Sequence, residues 1–218
     1  MLAESVTWWL IAKSNHIQAQ SSCLMARILG SVLWIAMGLH GGAFYSKHHT
    51  AICFPLIIGS CTFILLFNIY QLVKSGWQVG QIMGGKNRMF NSLIQTDAFC
   101  SLVIGILWMC FPDWILSRQV STRLTGAHLV LGRFMGAIFV STHVLSAQAL
   151  YWQDVTARKT WLSGRTLMCL GILLAQIWSQ VAYGAWWSAR HWVGILLFSV
   201  WTGLACWTAT EVKMGKFE

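Results

Sequence analysis

Charge is scarce in this chain: 10% of its 218 residues are Asp, Glu, Lys or Arg, and only 6 are acidic. A soluble domain carries roughly a quarter of its residues as charges, so a water-facing surface around a single core is excluded. Proline is limited to two residues, Pro55 and Pro112. Long helices can therefore run without internal breaks. No Asn-x-Ser/Thr sequon occurs, and none of the seven cysteines forms a Cys-x-x-Cys pair. Cys23, Cys53, Cys61, Cys100, Cys110, Cys169 and Cys206 sit inside or at the edges of apolar runs. That placement suits small apolar filler and excludes a disulfide framework or a thiolate metal centre. The first residues hold no basic stretch leading into an apolar one, so a signal peptide is not expected, and targeting is expected to be internal.

Apolar residues make up 56% of the chain and gather into six runs: Cys23–Tyr45, Ala51–Val73, Phe90–Phe111, Ala127–Tyr151, Trp161–Tyr183 and His191–Thr210. A hydrocarbon core about 30 Å thick takes about 20 helical residues to cross, and each run has about that length. The expected fold class is all-α: a polytopic bundle of six transmembrane helices. Residues 1–21 form an N-terminal segment with a short interfacial helix, and residues 22–218 form the transmembrane domain. Glu4–Lys13 is too short to cross, but its adjacent Trp8 and Trp9 favour the headgroup zone. Most of the 14 tryptophans lie near run ends as interfacial anchors, Trp77, Trp114, Trp152 and Trp207 among them. Pro55 opens its span and Pro112 closes another. Small pairs four apart, Gly38/Gly42 and Gly132/Gly136, allow helix backbones to approach closely.

A formal charge of +9 could signal nucleic acid, but these cations flank membrane spans, where anionic lipid headgroups are the nearer partner. No nucleic-acid partner is expected. Lys86, Arg88, Arg158 and Lys159 are the expected headgroup contacts. With both termini on one side, that side holds Lys13, Arg27, Lys74, Lys86, Arg88, Arg158, Lys159, Arg165, Lys213 and Lys216. The other holds Lys47, Arg118, Arg123, Arg133 and Arg190. This two-to-one bias predicts termini on the matrix or cytosolic side.

Ionisable groups inside spans are costly and mark candidate sites. At about 1.5 Å per helical residue, Arg27, Asn68, Asp97, His143 and Arg165 all fall in the leaflet nearer the termini. They predict an intramembrane polar cluster in which Asp97 pairs with Arg165 or Arg27, and His143 or Asn68 completes its hydrogen bonds. Such a cluster serves either as a clamp on helix register or as a proton or ion relay. His40 and Arg133 lie at similar depth in the opposite leaflet, so His40 and His143 cannot share a haem. No cofactor and no metal site is expected. Gly80–Lys86 has the spacing of a phosphate-binding loop but lacks the following Ser/Thr and the preceding strand. No catalytic constellation of any other kind occurs, so the chain is not expected to be an enzyme. Residues 26–51 laid on 132–157 match at Arg27/Arg133, Gly30/Gly136 and Tyr45/Tyr151, among others. The match suggests an inverted three-plus-three repeat.

Phe111-Pro112-Asp113 ends one span, Arg133-Phe134-Met135-Gly136 opens the next, a short polar loop surrounds Asp154, and Tyr183-Gly184 closes the fifth. On these motifs residues 88–212 resemble the small four-helix membrane proteins of the ergosterol-pathway scaffold, p53-inducible and DoxX-like type. The two N-terminal spans lie outside that pattern. The resemblance implies a non-catalytic adaptor and supplies no catalytic residue. The expected function is therefore an accessory or scaffold subunit of a larger membrane complex, such as one of the respiratory chain. Its partners would be other membrane subunits and lipid, and its location the inner mitochondrial membrane or else the endoplasmic reticulum. The alternative is a small transporter or proton-conducting channel that uses the Asp97 cluster.

Overall fold

In lipid every backbone N–H and C=O must be satisfied within the segment, which makes long uninterrupted helices the natural outcome for this sequence. The computed structural model describes residues 2–13, 16–45, 53–80 and 88–213. Over these residues the chain forms eight α-helices: α1 (Leu2–Ala12), α2 (Ile17–Tyr45), α3 (Cys53–Lys74), α4 (Arg88–Cys110), α5 (Pro112–Gln119), α6 (Gly126–Ala149), α7 (Val155–Ala182) and α8 (His191–Lys213). Six of them, α2, α3, α4, α6, α7 and α8, are long and apolar enough to cross a membrane. The protein is an all-α polytopic membrane bundle.

Boundaries depart from the sequence expectation where polar side chains cap or join helices. The fifth span starts at Val155, not Trp161, because the Asp154 carboxylate accepts the N–H groups of Thr156 (3.0 Å) and Ala157 (2.6 Å). The first span starts at Ile17, and the polar Ser21 and Ser22 of its second turn are buried: the Trp152 indole N–H donates to Ser22 at 3.0 Å. Pro112 does more than close a span. It opens the short α5, where its missing N–H costs nothing. Beyond α5, Ser121 N–H donates to Trp186 O and Ser188 N–H to Gln119 O, tying this end of the bundle together.

Packing divides the bundle into two groups. In one, α6 lies against both α4 and α2, and α3 covers the outer side of α2. In the other, α7 pairs with α8, and α1 packs along α7. The closest approach is between α4 and α6. A Cβ on Gly136 would meet the Gly105 carbonyl at 2.6 Å, and one on Gly105 would meet Val140 N at 2.7 Å. Gly38 packs on Ile58 of α3, as small-residue packing requires. This arrangement lacks the symmetry of an inverted repeat: the main chain of α3 packs closely on α2, whereas that of its counterpart α7 stays apart from α6 and meets it through side chains.

The helix expected ahead of the first span is present, and it docks deeply. Thr7 and Ile11 are buried. Thr7 fills the space that a side chain at Gly164, nine residues into α7, would occupy. Apolar side chains from α1, α2, α4, α6 and α7 form the main core, with Ile11, Phe90, Ile94, Leu145, Trp152 and Trp161 at its centre. A second cluster, Phe139, Met168, Cys169, Phe198 and Trp201, joins α6 to the α7–α8 pair.

Candidate functional site

Asp97 lies nine residues into α4, about 13 Å along the helix axis. A lone carboxylate at that depth is costly, and here it has three donors from three other helices. Oδ1 accepts from Arg165 Nε of α7 at 2.8 Å and from the Trp201 indole N–H of α8 at 2.8 Å. Oδ2 accepts from Ser146 Oγ of α6 at 2.7 Å. Arg165 is bound from several directions as well. Its Nη2 donates to Ser101 of α4, and its guanidinium carbon lies over the Trp201 ring, 4.7 Å from the ring centre. The Asp97 side chain is 12% exposed and that of Arg165 4% exposed. An opposite charge and directed hydrogen bonds on all sides offset the desolvation of both ions.

A cavity of about 130 Å³ adjoins this pair between α4, α7 and α8. Ile94, Ile104, Leu197 and Leu204 give it apolar walls, while Asp97 and Arg165 supply a polar patch. It exists because α4 and α8 hardly touch, so the gap between them is bridged only by side chains.

The residues expected to cluster divide between two sides of the bundle. Asp97 and Arg165 meet. His143 lies beside them but does not bond Asp97: its Nδ1 is 2.9 Å from the Ala98 carbonyl. A carbonyl can only accept, so this nitrogen carries the proton. Ser146, three residues further along α6, takes the role expected of His143. Arg27 and Asn68 are not part of the site. Arg27 faces outward from α2, with its guanidinium 4.8 Å from the centre of the Trp8 ring. Asn68 is buried on α3 and donates to the Ile64 carbonyl of its own helix at 2.7 Å, leaving its Oδ1 without a partner. Depth along the axis was similar for all five residues, but α3 and the outer face of α2 are separated from α4 by α6.

Of the expected headgroup contacts, Lys86 lies outside the described residues, as does the side chain of Arg88. Lys159 is half-buried near the start of α7. Arg158 does not face lipid. It is buried, and its Nη2 donates to the Leu150 carbonyl at 2.9 Å, satisfying a main-chain acceptor at the end of α6. The tight turn between α6 and α7 directs it there. Arg133 is used the same way at the opposite end of the bundle, donating to Met109 O at the end of α4 at 2.7 Å.

Sequence reasoning missed Ser101, Ser146 and Trp201. A signal for Trp201 existed: unlike most tryptophans here it lies in mid-span, where its indole N–H cannot find water and needs an internal acceptor.

A family model for a domain of unknown function, DUF8292, matches residues 1–210. The chain belongs to the DUF8292 family. No curated protein and no solved structure matches it. The family match takes in α1 and all six spans, so every residue of the Asp97 site falls within the DUF8292 domain.

Proposed function

We propose that this protein is a non-catalytic integral membrane subunit, an accessory or scaffold component of a larger membrane complex. The observation that carries this reading is the complete engagement of Asp97. Both carboxylate oxygens are held by donors from α6, α7 and α8, an arrangement suited to fixing helix positions. The four spans joined there, α4, α6, α7 and α8, are those whose sequence resembles the four-helix adaptor families. That agreement supports assigning α2 and α3 to added surface. Outward-facing Gly59 of α3, Gly171 of α7 and Gly203 of α8 support it too. A Cβ at any of the three would meet nothing within 4 Å, leaving notches in which partner helices can lie close.

Under the positive-inside argument the termini face the matrix or cytosol. The inner mitochondrial membrane, in a complex of the respiratory chain, is the location we favour over the endoplasmic reticulum. The test is extraction from the native membrane in mild detergent, a native gel, and mass spectrometry of whatever co-migrates. The subunit reading expects a species of several hundred kilodaltons with fixed partners. A lone species near the mass of the chain would sink it.

The cavity beside Asp97 favours a second reading, a small transporter or proton channel. Its test is proton-coupled flux in liposomes, wild type against Asp97→Asn: flux that the substitution removes without loss of stability would establish it over the clamp.

A further inference from the structure

Arg27 is the one cation well inside a span that the Asp97 site leaves out and that no main-chain carbonyl claims among the described residues. It stands ten residues into α2, and its interaction is with the Trp8 ring. An arginine at this depth without a counter-ion is costly. Side chains in a helix point toward its N-terminus, which for α2 is the nearer membrane face. A stem of about 6 Å therefore carries the guanidinium from about 15 Å to about 9 Å below the helix start, close to the phosphate and glycerol level.

Beside it lies a cavity of about 370 Å³, bounded by α1, α2, α3 and α6. Three features suit it to a charged amphiphile. Arg27 and the outward-facing Ser60 lie at its rim, so it opens sideways into the bilayer. Ser31 lines it and is 8% exposed, so a hydroxyl stands at its wall, largely shielded from the surroundings. Trp34, Ile64 and Ile138 give the remaining wall an apolar character that an acyl chain can follow. The only intramembrane carboxylate described, Asp97, is committed to Arg165. Among the described residues no carboxylate is left to pair with Arg27, and a guanidinium fork with a neighbouring hydroxyl matches an oxyanion.

We propose that the cavity between α2, α3 and α6 binds the oxyanion head of a membrane lipid, held by Arg27 and Ser31, with its hydrocarbon chain lying along Trp34 and Ile64. A phospholipid phosphate and a fatty-acid carboxylate share this chemistry. The experiment is native mass spectrometry of the full chain released from nanodiscs of phosphatidylglycerol, phosphatidylcholine, or phosphatidylcholine with oleate, with inorganic phosphate added to detergent-purified protein as a fourth arm.

One retained phosphatidylglycerol or oleate per chain, about tenfold over phosphatidylcholine, supports the site, and the arm that binds tells phosphate from carboxylate. Arg27→Gln should reduce that retention about tenfold, and Ser31→Ala about threefold. Arg27→Lys keeps the charge and loses the fork, so it should retain the preference for anions at lower occupancy. If Arg27→Gln does not fold, Arg27→Lys and Ser31→Ala still carry the test. Equal retention of phosphatidylglycerol and phosphatidylcholine, retention unchanged by all three substitutions, or binding of inorganic phosphate alone would overturn the proposal.

Discussion

The α4–α6 pair and the α7–α8 pair are fixed in the bundle by different means. Between α4 and α6, Gly105 and Gly136 bring main chain against main chain, and hydrogen bonds from Arg133, His143 and Ser146 to α4 add to that close packing. The α7–α8 pair meets α4 and α6 through side chains instead: the Asp97–Arg165 ion pair and the Trp201 indole reach α4, and the aromatic cluster of Phe139, Phe198 and Trp201 reaches α6. Lipid tails are as apolar as leucine, so the hydrophobic effect cannot hold spans together, and small residues and polar contacts are the two substitutes. Here α4 and α6 combine the two, whereas the α7–α8 pair reaches α4 through side chains. The glycine contact tolerates no added atom, whereas the polar contact tolerates no removed one.

The largest expected effect comes from leaving one ion of the pair alone. Arg165→Leu, or Asp97→Leu, should lower stability by about 3–5 kcal/mol, because a buried charge is stranded. Thermal unfolding in detergent measures it. The double substitution Asp97→Leu/Arg165→Leu should recover most of that loss, since an apolar pair of similar volume strands nothing. A double variant as unstable as the sum of the singles would break the clamp reading.

Next in size, Gly136→Ala should cost about 1–3 kcal/mol, as its Cβ would sit 2.6 Å from the Gly105 carbonyl and force α4 outward. An unchanged melting temperature would show that the two halves are not held differently after all. Trp201→Phe keeps the ring stacking and removes one donor to Asp97, so a loss of about 1 kcal/mol is expected, read by the same unfolding assay. The smallest effect sharpens the contrast. Gly59→Ala meets open space and should leave the isolated chain unchanged to within about 0.5 kcal/mol. If α3 carries a partner helix, the same substitution should loosen the native complex on a gel.

Much of this was readable before the structure. The six spans follow from length and polarity alone, and the need for Asp97 to find a cation follows from its cost in lipid. Sequence position, however, yields only a depth for each span residue. Which way the residue faces depends on the order in which helices pack. For that reason Arg165 met Asp97 while Arg27, at nearly the same depth, did not. Arg158 stands just before the apolar run that begins at Trp161, which makes it an expected headgroup contact, yet the turn after Leu150 folds it inward onto a carbonyl. The short α5 was hidden because proline ends one helix and starts another with equal ease.

The seat of Thr7 against Gly164 sets an order in time. Roughly 150 residues separate the two, and at about 5–20 residues per second the ribosome takes about 8–30 s to supply the second after the first. The first helix is therefore made early and docked late. For that interval it waits at the surface of the membrane, where the paired rings of Trp8 and Trp9 suit it to lie until α7 arrives.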